Sequence, residues 1–285
     1  MKLGFCGWLL DGVSLPEKVA FLASEGFSSI AWLQGIMNAD RQEREEAAHA
    51  IRENKFSLTF HGNVQANLTP DNKIDMDFAA RLFDDVIWWH EHTNGVVSCC
   101  SDAISAVPAG SVRTYLPDET FRLFQMEADF FGKYGIGYGI ENSCGMPSGK
   151  GYSSLGEMQR IKNLLVNAPD AGMILDTGHA HVYLTSNSQE QMGLDEYVEK
   201  LPFRIYELHV TDNHGTRDEH LLPGCGTLDF ARMRSGLERR NFDGIVSLEI
   251  CVDILNDKYG WDISKQENRD VIRRAKDDFL AAYFR

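Results

Sequence analysis

DETFRLFQMEADFFGKYGIGYGIEN, residues 118–142, holds one complete turn of the pattern that decides the fold. From Asp118 to Tyr134 apolar residues recur at three- and four-residue spacing, which gathers them on one face of a helix. From Gly137 to Glu141 a short β-rich run follows and stops at the polar pair Glu141-Asn142. The same alternation extends in both directions. Strands are expected at Leu3 to Gly7, Ser29 to Trp32, Ser57 to His61, Val96 to Cys100, Gly137 to Glu141, Met173 to Asp176, Tyr206 to Val210 and Ile245 to Ile250. Helices are expected at Pro16 to Glu25, Arg41 to Glu53, Asp77 to His92, Asp118 to Tyr134, Ser154 to Asn167, Leu194 to Leu201, Leu228 to Arg240 and Gln266 to Tyr283. Strands separated by helices pair in parallel, because each connection must cross back over the sheet, and eight such units close on themselves. The fold class is α/β, a single (β/α)8 TIM barrel over residues 1–285. An open doubly wound sheet would place a glycine-rich phosphate turn after the first strand, and Gly4, Gly7 and Gly12 lack that spacing. The Gly-, Ser- and Asn-rich residues 142–153 and 182–193 are expected as long loops on the active face.

Barrels assemble their sites at the carboxyl ends of the strands, so the polar residues that end apolar runs matter most. Glu141 ends Tyr138-Gly139-Ile140, and Asp176 ends Met173-Ile174-Leu175 and leads into Thr177-Gly178-His179. His209 ends Tyr206-Glu207-Leu208, Glu249 ends Val246-Ser247-Leu248, and His61 ends Ser57-Leu58-Thr59-Phe60. Any one of these is as readily a helix cap or an exposed loop residue. Together they form a set with a physical requirement. Three carboxylates buried around one imidazole cost several kcal/mol in desolvation and repulsion, and a divalent cation turns the same cluster into a coordination shell. Glu141, Asp176, His209 and Glu249 are the candidate ligands of one ion. Three oxygen donors with one nitrogen suit Mn2+, Mg2+ or Co2+, with Zn2+ also compatible.

Residues 211–229, with a Pro223-Gly224 turn, read as a long loop leaving the seventh strand over the site. Asp218 and His220 there are candidates to line a pocket for a hydroxylated substrate or, with His179, to hold a second metal. Trp8, Trp32 and Phe60 lie near strand ends, where they pack the core or face a sugar. Cys99 and Cys100 are read as barrel-wall packing.

The bulk numbers exclude other classes. Lys and Arg total 28 against 42 Asp and Glu, a formal net charge of −14 that disfavours a nucleic-acid partner. The six cysteines form no CxxC pair, and free thiols fit a cytoplasmic protein. The apolar start MKLGFCGWLLDGVSL is shorter than the ~20 residues of a membrane span and is interrupted by Asp11 and Gly12, so it reads as a first strand. No membrane association is expected. Barrels of this kind often form homo-oligomers, and nothing in the sequence identifies an interface.

The motifs Gly139-Ile140-Glu141-Asn142, Leu175-Asp176-Thr177-Gly178-His179, His209 with Asp218-Glu219-His220-Leu221-Leu222-Pro223-Gly224-Cys225-Gly226, and Ser247-Leu248-Glu249 resemble those of the xylose isomerase-like barrel superfamily. That group contains sugar isomerases and epimerases, inosose dehydratases and endonuclease IV. The resemblance implies a divalent-metal-dependent isomerase or epimerase of a small sugar, ketose or cyclic polyol. It makes Glu141, Asp176, His209 and Glu249 the metal ligands, His179 a neighbouring contact, and Glu141 and Glu249 the catalytic proton-transfer pair. The alternative it implies is an endonuclease IV-like phosphodiesterase with additional zinc ions. His61, Glu141, Asp176, His179, His209, Asp218, His220 and Glu249 match eight ligand positions of that enzyme in kind. The fourth strand ends Ser98-Cys99-Cys100 where endonuclease IV has a histidine, and Gly215 stands where the ketose 3-epimerases carry an arginine. A barrel kept only for binding sugar would not need opposed glutamates.

Overall fold

The computed structural model describes residues 1–33, 39–63, 73–102, 118–143, 153–165, 168, 170–186, 192–253, 256 and 258–284, with the backbone alone at 63, 102 and 118–120. Ten strands are formed by these residues: β1 Lys2–Cys6, β2 Leu10–Asp11, β3 Ser29–Leu33, β4 Ser57–Asn63, β5 Val96–Asp102, β6 Gly137–Glu141, β7 Ala171–Asp176, β8 Ile205–Val210, β9 Ile245–Leu248 and β10 Trp261–Asp262. The helices are α1 Leu15–Ser24, α2 Arg41–Glu53, α3 Met76–His92, α4 Asp118–Gly132, α5 Leu155–Leu164, α6 Thr177–Ser186, α7 Leu194–Lys200, α8 Phe230–Arg239 and α9 Gln266–Tyr283. Eight strands close in the order β1-β3-β4-β5-β6-β7-β8-β9, and β2 pairs β10 in a separate two-stranded sheet. Every pairing in the barrel is parallel, including the closing pair of β1 and β9, where Phe5 lies opposite Leu248. The closed (β/α)8 barrel expected from the alternation is the fold observed.

Helix starts follow local chemistry. Asp40, Asp75, Ser154 and Asp229 each accept a backbone N–H three residues on, satisfying a donor that the first turn leaves free. At α1 Ser14 and Glu17 form a capping box. Outside the sheet, Phe5 of β1 meets Phe27, in the connection after α1, edge to face at 6.0 Å, and Phe131 of α4 stacks on Tyr138 of β6 at 6.3 Å.

The barrel interior departs from the usual layers of bulky aliphatic residues. Successive strand residues point to opposite faces. Accordingly, Lys2 reaches Ser57 Oγ at 2.5 Å, and a Cβ added to Gly4 would lie 2.8 Å from Ser247 Oγ. Glu207 occupies the same lumen and accepts from Thr59 Oγ1 at 3.2 Å and from the Ser247 hydroxyl. Small and polar side chains there leave room for a carboxylate beneath the mouth.

Two expectations need correction. The segment 182–193 begins as helix, since α6 runs to Ser186, and residues 187–191 lie outside the described set. The alternation missed α6 because Thr177, His179, Ala180, Val182 and Tyr183 are all buried, so the helix has no sustained polar face to give it a period. The first strand also ends one residue early, and Gly7–Leu9 form a single 3-10 turn. Of the expected loop 142–153, residues 144–152 lie outside the described set. Among the described residues no helix is long and apolar enough to cross a membrane.

Glu127 of α4 is fully buried between helix and sheet, where Tyr138 Oη donates to it at 2.8 Å and Ser101 Oγ at 2.5 Å. Burial pushes its carboxyl up to about 7, against the pull of these two hydroxyls. A carboxyl raised in the fold is stabilising in its neutral form, so this contribution is intact below the unfolded value near 4.5 and is lost as pH rises toward about 7. The charged form then costs about 3 kcal/mol, at 1.36 kcal/mol per unit. Glu127→Gln is expected to be about 2 kcal/mol more stable than the parent at pH 8 and nearly equal to it at pH 4.5. Urea unfolding at the two pH values measures this, and a variant less stable at pH 8 would contradict it.

Candidate active site at the barrel mouth

Each of the four expected ligands lies at the carboxyl end of a barrel strand, within one residue of its last position, and their side chains meet. One donor atom from each of Glu141, Asp176, His209 and Glu249 lies within 4.8 Å of the others, and all four residues are buried. β6 and β9 are three strands apart around the ring, so Glu141 and Glu249 approach from different sides. Glu249 continues β9 by one residue, its N–H bonding to Val210 O at 3.0 Å.

Asp176 has its two oxygens divided between tasks. Oδ1 accepts from His179 N at 2.6 Å and caps α6, while Oδ2 is buried without a hydrogen-bond partner. Asn142 fixes the strand end beneath it, with Oδ1 accepting from Asp176 N at 2.7 Å and Nδ2 donating to Asp176 O at 2.9 Å. This clamp between β6 and β7 was not assigned from the sequence. Asn142 stood there beside Glu141, but only the register Glu141 to Ile174 brings its amide level with Asp176. Gly178 is required at the start of α6, since a Cβ there would lie 2.5 Å from Thr211 Cγ2.

His209 Nδ1 lies 3.1 Å from Glu249 Oε2 and 3.7 Å from Glu141 Oε1, yet neither it nor Glu249 Oε2 makes a hydrogen bond of acceptable geometry. Burial opposes charge on His209, but Glu249 and Glu141 outweigh it and raise the imidazole well above its ordinary value. Burial likewise opposes ionisation of Glu141, and His209 and His61 reverse that to hold it well below the carboxylate range. Burial drives Asp176 up to about 7; His179 pulls it down, and Glu249, Asp218 and Glu141 add to the rise. Buried oxygens and a ring nitrogen facing one another without partners are what a cation would complete. The donor set therefore fits a divalent ion.

His61 Nε2 lies 2.8 Å from Glu141 Oε2, and its ring stacks on His209 at 5.5 Å and 20°. Trp8 is partly buried, 5.1 Å from the His61 ring and 6.0 Å from the His209 ring. Trp32 is fully buried and packs near Trp89, and Phe60 is buried in the core, so of the three aromatic candidates only Trp8 borders the site. Cys99 and Cys100 are both buried, and Cys99 packs in the apolar core as expected.

His179, Asp218 and His220 form a second cluster of donor atoms within 4.8 Å. Asp218 Oδ2 lies 3.1 Å from His179 Nε2 and 2.9 Å from His220 Nε2. The Nδ1 atoms face Asn142 O at 2.8 Å and Glu249 O at 3.0 Å. A carbonyl only accepts, so both Nδ1 atoms carry protons and the neutral rings turn lone pairs toward the carboxylate. The contact therefore requires either two imidazolium ions or a cation. Burial opposes protonation of His179 and His220, and the neighbouring carboxylates raise both well above the ordinary value. His220 has a φ of 45°, a left-handed conformation that few non-glycine residues adopt.

The loop carrying these residues is pinned by Asp212. Its Oδ1 accepts from Asn213 N at 2.8 Å and Leu228 N at 3.1 Å, and its Oδ2 accepts from Gly224 N and Gly226 N, each at 2.9 Å. One carboxylate thus ties the far end of the loop to the end of β8, which holds Asp218 and His220 against α6.

A family model described as "Xylose isomerase-like TIM barrel" matches residues 19–275. Two uncharacterized proteins of Methanocaldococcus jannaschii are 28% identical over 135 residues and 27% identical over 133, covering 46% and 44% of this chain. The matches span 43% and 47% of those relatives, less than half of their length. A D-psicose 3-epimerase solved in the presence of D-fructose superposes with a TM-score of 0.75 at 16% identity, covering 99% of each chain. The D-psicose 3-epimerase of Clostridium cellulolyticum H10 with D-tagatose gives 0.72 at 14%, also over 99% of each. The IolI protein with a bound zinc atom gives 0.71 at 14%, over 99% of this chain and 98% of that one. At these identities the superpositions report a shared fold. The family match covers most of the sequence, and the chain belongs to the xylose isomerase-like TIM barrel family.

Proposed function

We propose that this protein is a divalent-metal-dependent isomerase or epimerase of a small sugar, ketose or cyclic polyol, working by proton transfer beside a carbonyl. The observation that carries the reading is the meeting of Glu141, Asp176, His209 and Glu249 within 4.8 Å at the barrel mouth. These four residues would hold the ion, which would supply positive charge beside the substrate carbonyl and make the adjacent carbon acidic. Glu249 and Glu141 arrive from different strands, which suits one to take the carbon-bound proton and the other to return it on a second face. His61 orients Glu141 by holding Oε2, and Trp8 offers an apolar edge to a sugar ring. Free cysteines, with Cys225 exposed, fit a reducing, cytoplasmic setting. The net charge of −14 suits a small uncharged substrate better than a phosphodiester.

The His179, Asp218 and His220 cluster favours a second reading, a phosphodiesterase with additional zinc ions. One experiment separates the two. The metal-loaded protein is incubated with a panel of ketoses and inososes in D2O and examined by NMR. Deuterium entering at a carbon next to the carbonyl, and stopping on chelation, is the expected result. No exchange with any sugar, together with zinc-dependent cleavage of an abasic-site oligonucleotide, would overturn the first reading in favour of the second.

A further inference from the structure

Cys6 ends β1, where the strand's two-residue period directs it inward beyond Lys2 and Gly4. It is fully buried, and its donor atom lies within 4.8 Å of one donor atom each of His209 and Glu249. Those neighbours are themselves incomplete: His209, 1% exposed, and Glu249, 9% exposed, bring Nδ1 and Oε2 to 3.1 Å of each other without a hydrogen bond. A thiol is a poor hydrogen-bond partner for either. Two ligands of one ion, each at about 2.0–2.3 Å from it, stand no more than about 4.6 Å apart, so Cys6 approaches the ion's shell from the side of His209 and Glu249, the two ligands it shares a cluster with.

We propose that Cys6 is a sulfur donor to the cation held by Glu141, Asp176, His209 and Glu249, and that the site therefore takes a borderline-soft divalent ion such as Zn2+ or Co2+ in preference to Mg2+. The inference rests on the four-residue metal site of the preceding section. Its chemistry is that thiolate selects zinc and cobalt, whereas oxygen-only shells suit magnesium. A thiol kept only to fill space would be indifferent to the ion.

The test is titration of the metal-free full-length protein with Co2+, followed by absorption spectroscopy. The parent is expected to develop visible d–d bands together with a near-ultraviolet sulfur-to-cobalt charge-transfer band. Cys6→Ser and Cys6→Ala are expected to keep the d–d bands, which report an intact site, and to lose the charge-transfer band. Visible bands without charge transfer in the parent, or charge transfer persisting in both variants, would overturn the sulfur donor and leave the four-residue site standing. No visible bands in the parent at saturating Co2+ would remove the site and the sulfur donor together.

Discussion

Glu249→Gln is expected to reduce turnover by at least about 10³-fold, about 4 kcal/mol of transition-state stabilisation, while leaving the barrel folded. The amide keeps the shape and one oxygen for the ion but cannot take a proton from carbon. Glu249 is held by geometry that the substitution does not touch, since its N–H bonds to Val210 O at 3.0 Å and its carbonyl accepts from His220 Nδ1 at 3.0 Å. Steady-state assay of the deuterium exchange, with circular dichroism as the control for folding, measures the effect. Activity within tenfold of the parent would remove Glu249 from the proton-transfer pair.

His209→Ala is expected to weaken metal binding by more than the 10–100-fold typical of losing a residue that only supports a ligand. The variant loses the nitrogen donor and leaves Glu141 and Glu249 facing each other without the imidazole that offsets their charge. Two readouts follow. Elemental analysis after dialysis should find the parent loaded and the variant largely empty. Chelation should lower the Tm of the parent, because an ion bound at 100 times its Kd adds about 2.7 kcal/mol to the fold, and should leave the variant unchanged. Equal metal content in the two proteins would take His209 out of the ligand set.

The fold was legible because both of its periods are written plainly. Gly137–Glu141 is a short run that ends on Glu141, Ile205–Val210 carries His209 as its last residue but one, and helices such as α2 and α4 repeat apolar residues at helical spacing. In a closed parallel barrel that pattern also predicts convergence, because all carboxyl ends share one face. What the sequence withheld has physical reasons. Helix α6 is buried on nearly all sides and carries no amphipathic signal. Glu207 resembled one more polar residue in an apolar run, and only barrel closure brings Thr59 and Ser247 to its carboxylate. Asn142 and Cys6 act through neighbours 34 and more than 200 residues away, a relation fixed by strand register and not by local spacing. The loop after β8 was read as polar cover, yet the four backbone N–H groups gathered by Asp212 make it a fixed wall of the site.

In the proposed mechanism, four side chains distant in sequence share one cation. A crystal of the protein soaked with Zn2+ or Mn2+, measured at the metal's absorption edge, tests it directly. One anomalous peak is expected at about 2.0–2.3 Å from atoms of Glu141, Asp176, His209 and Glu249. A saturated crystal whose peaks all lie away from that cluster, with Asp176 Oδ2 and His209 Nδ1 still unpaired, would contradict it.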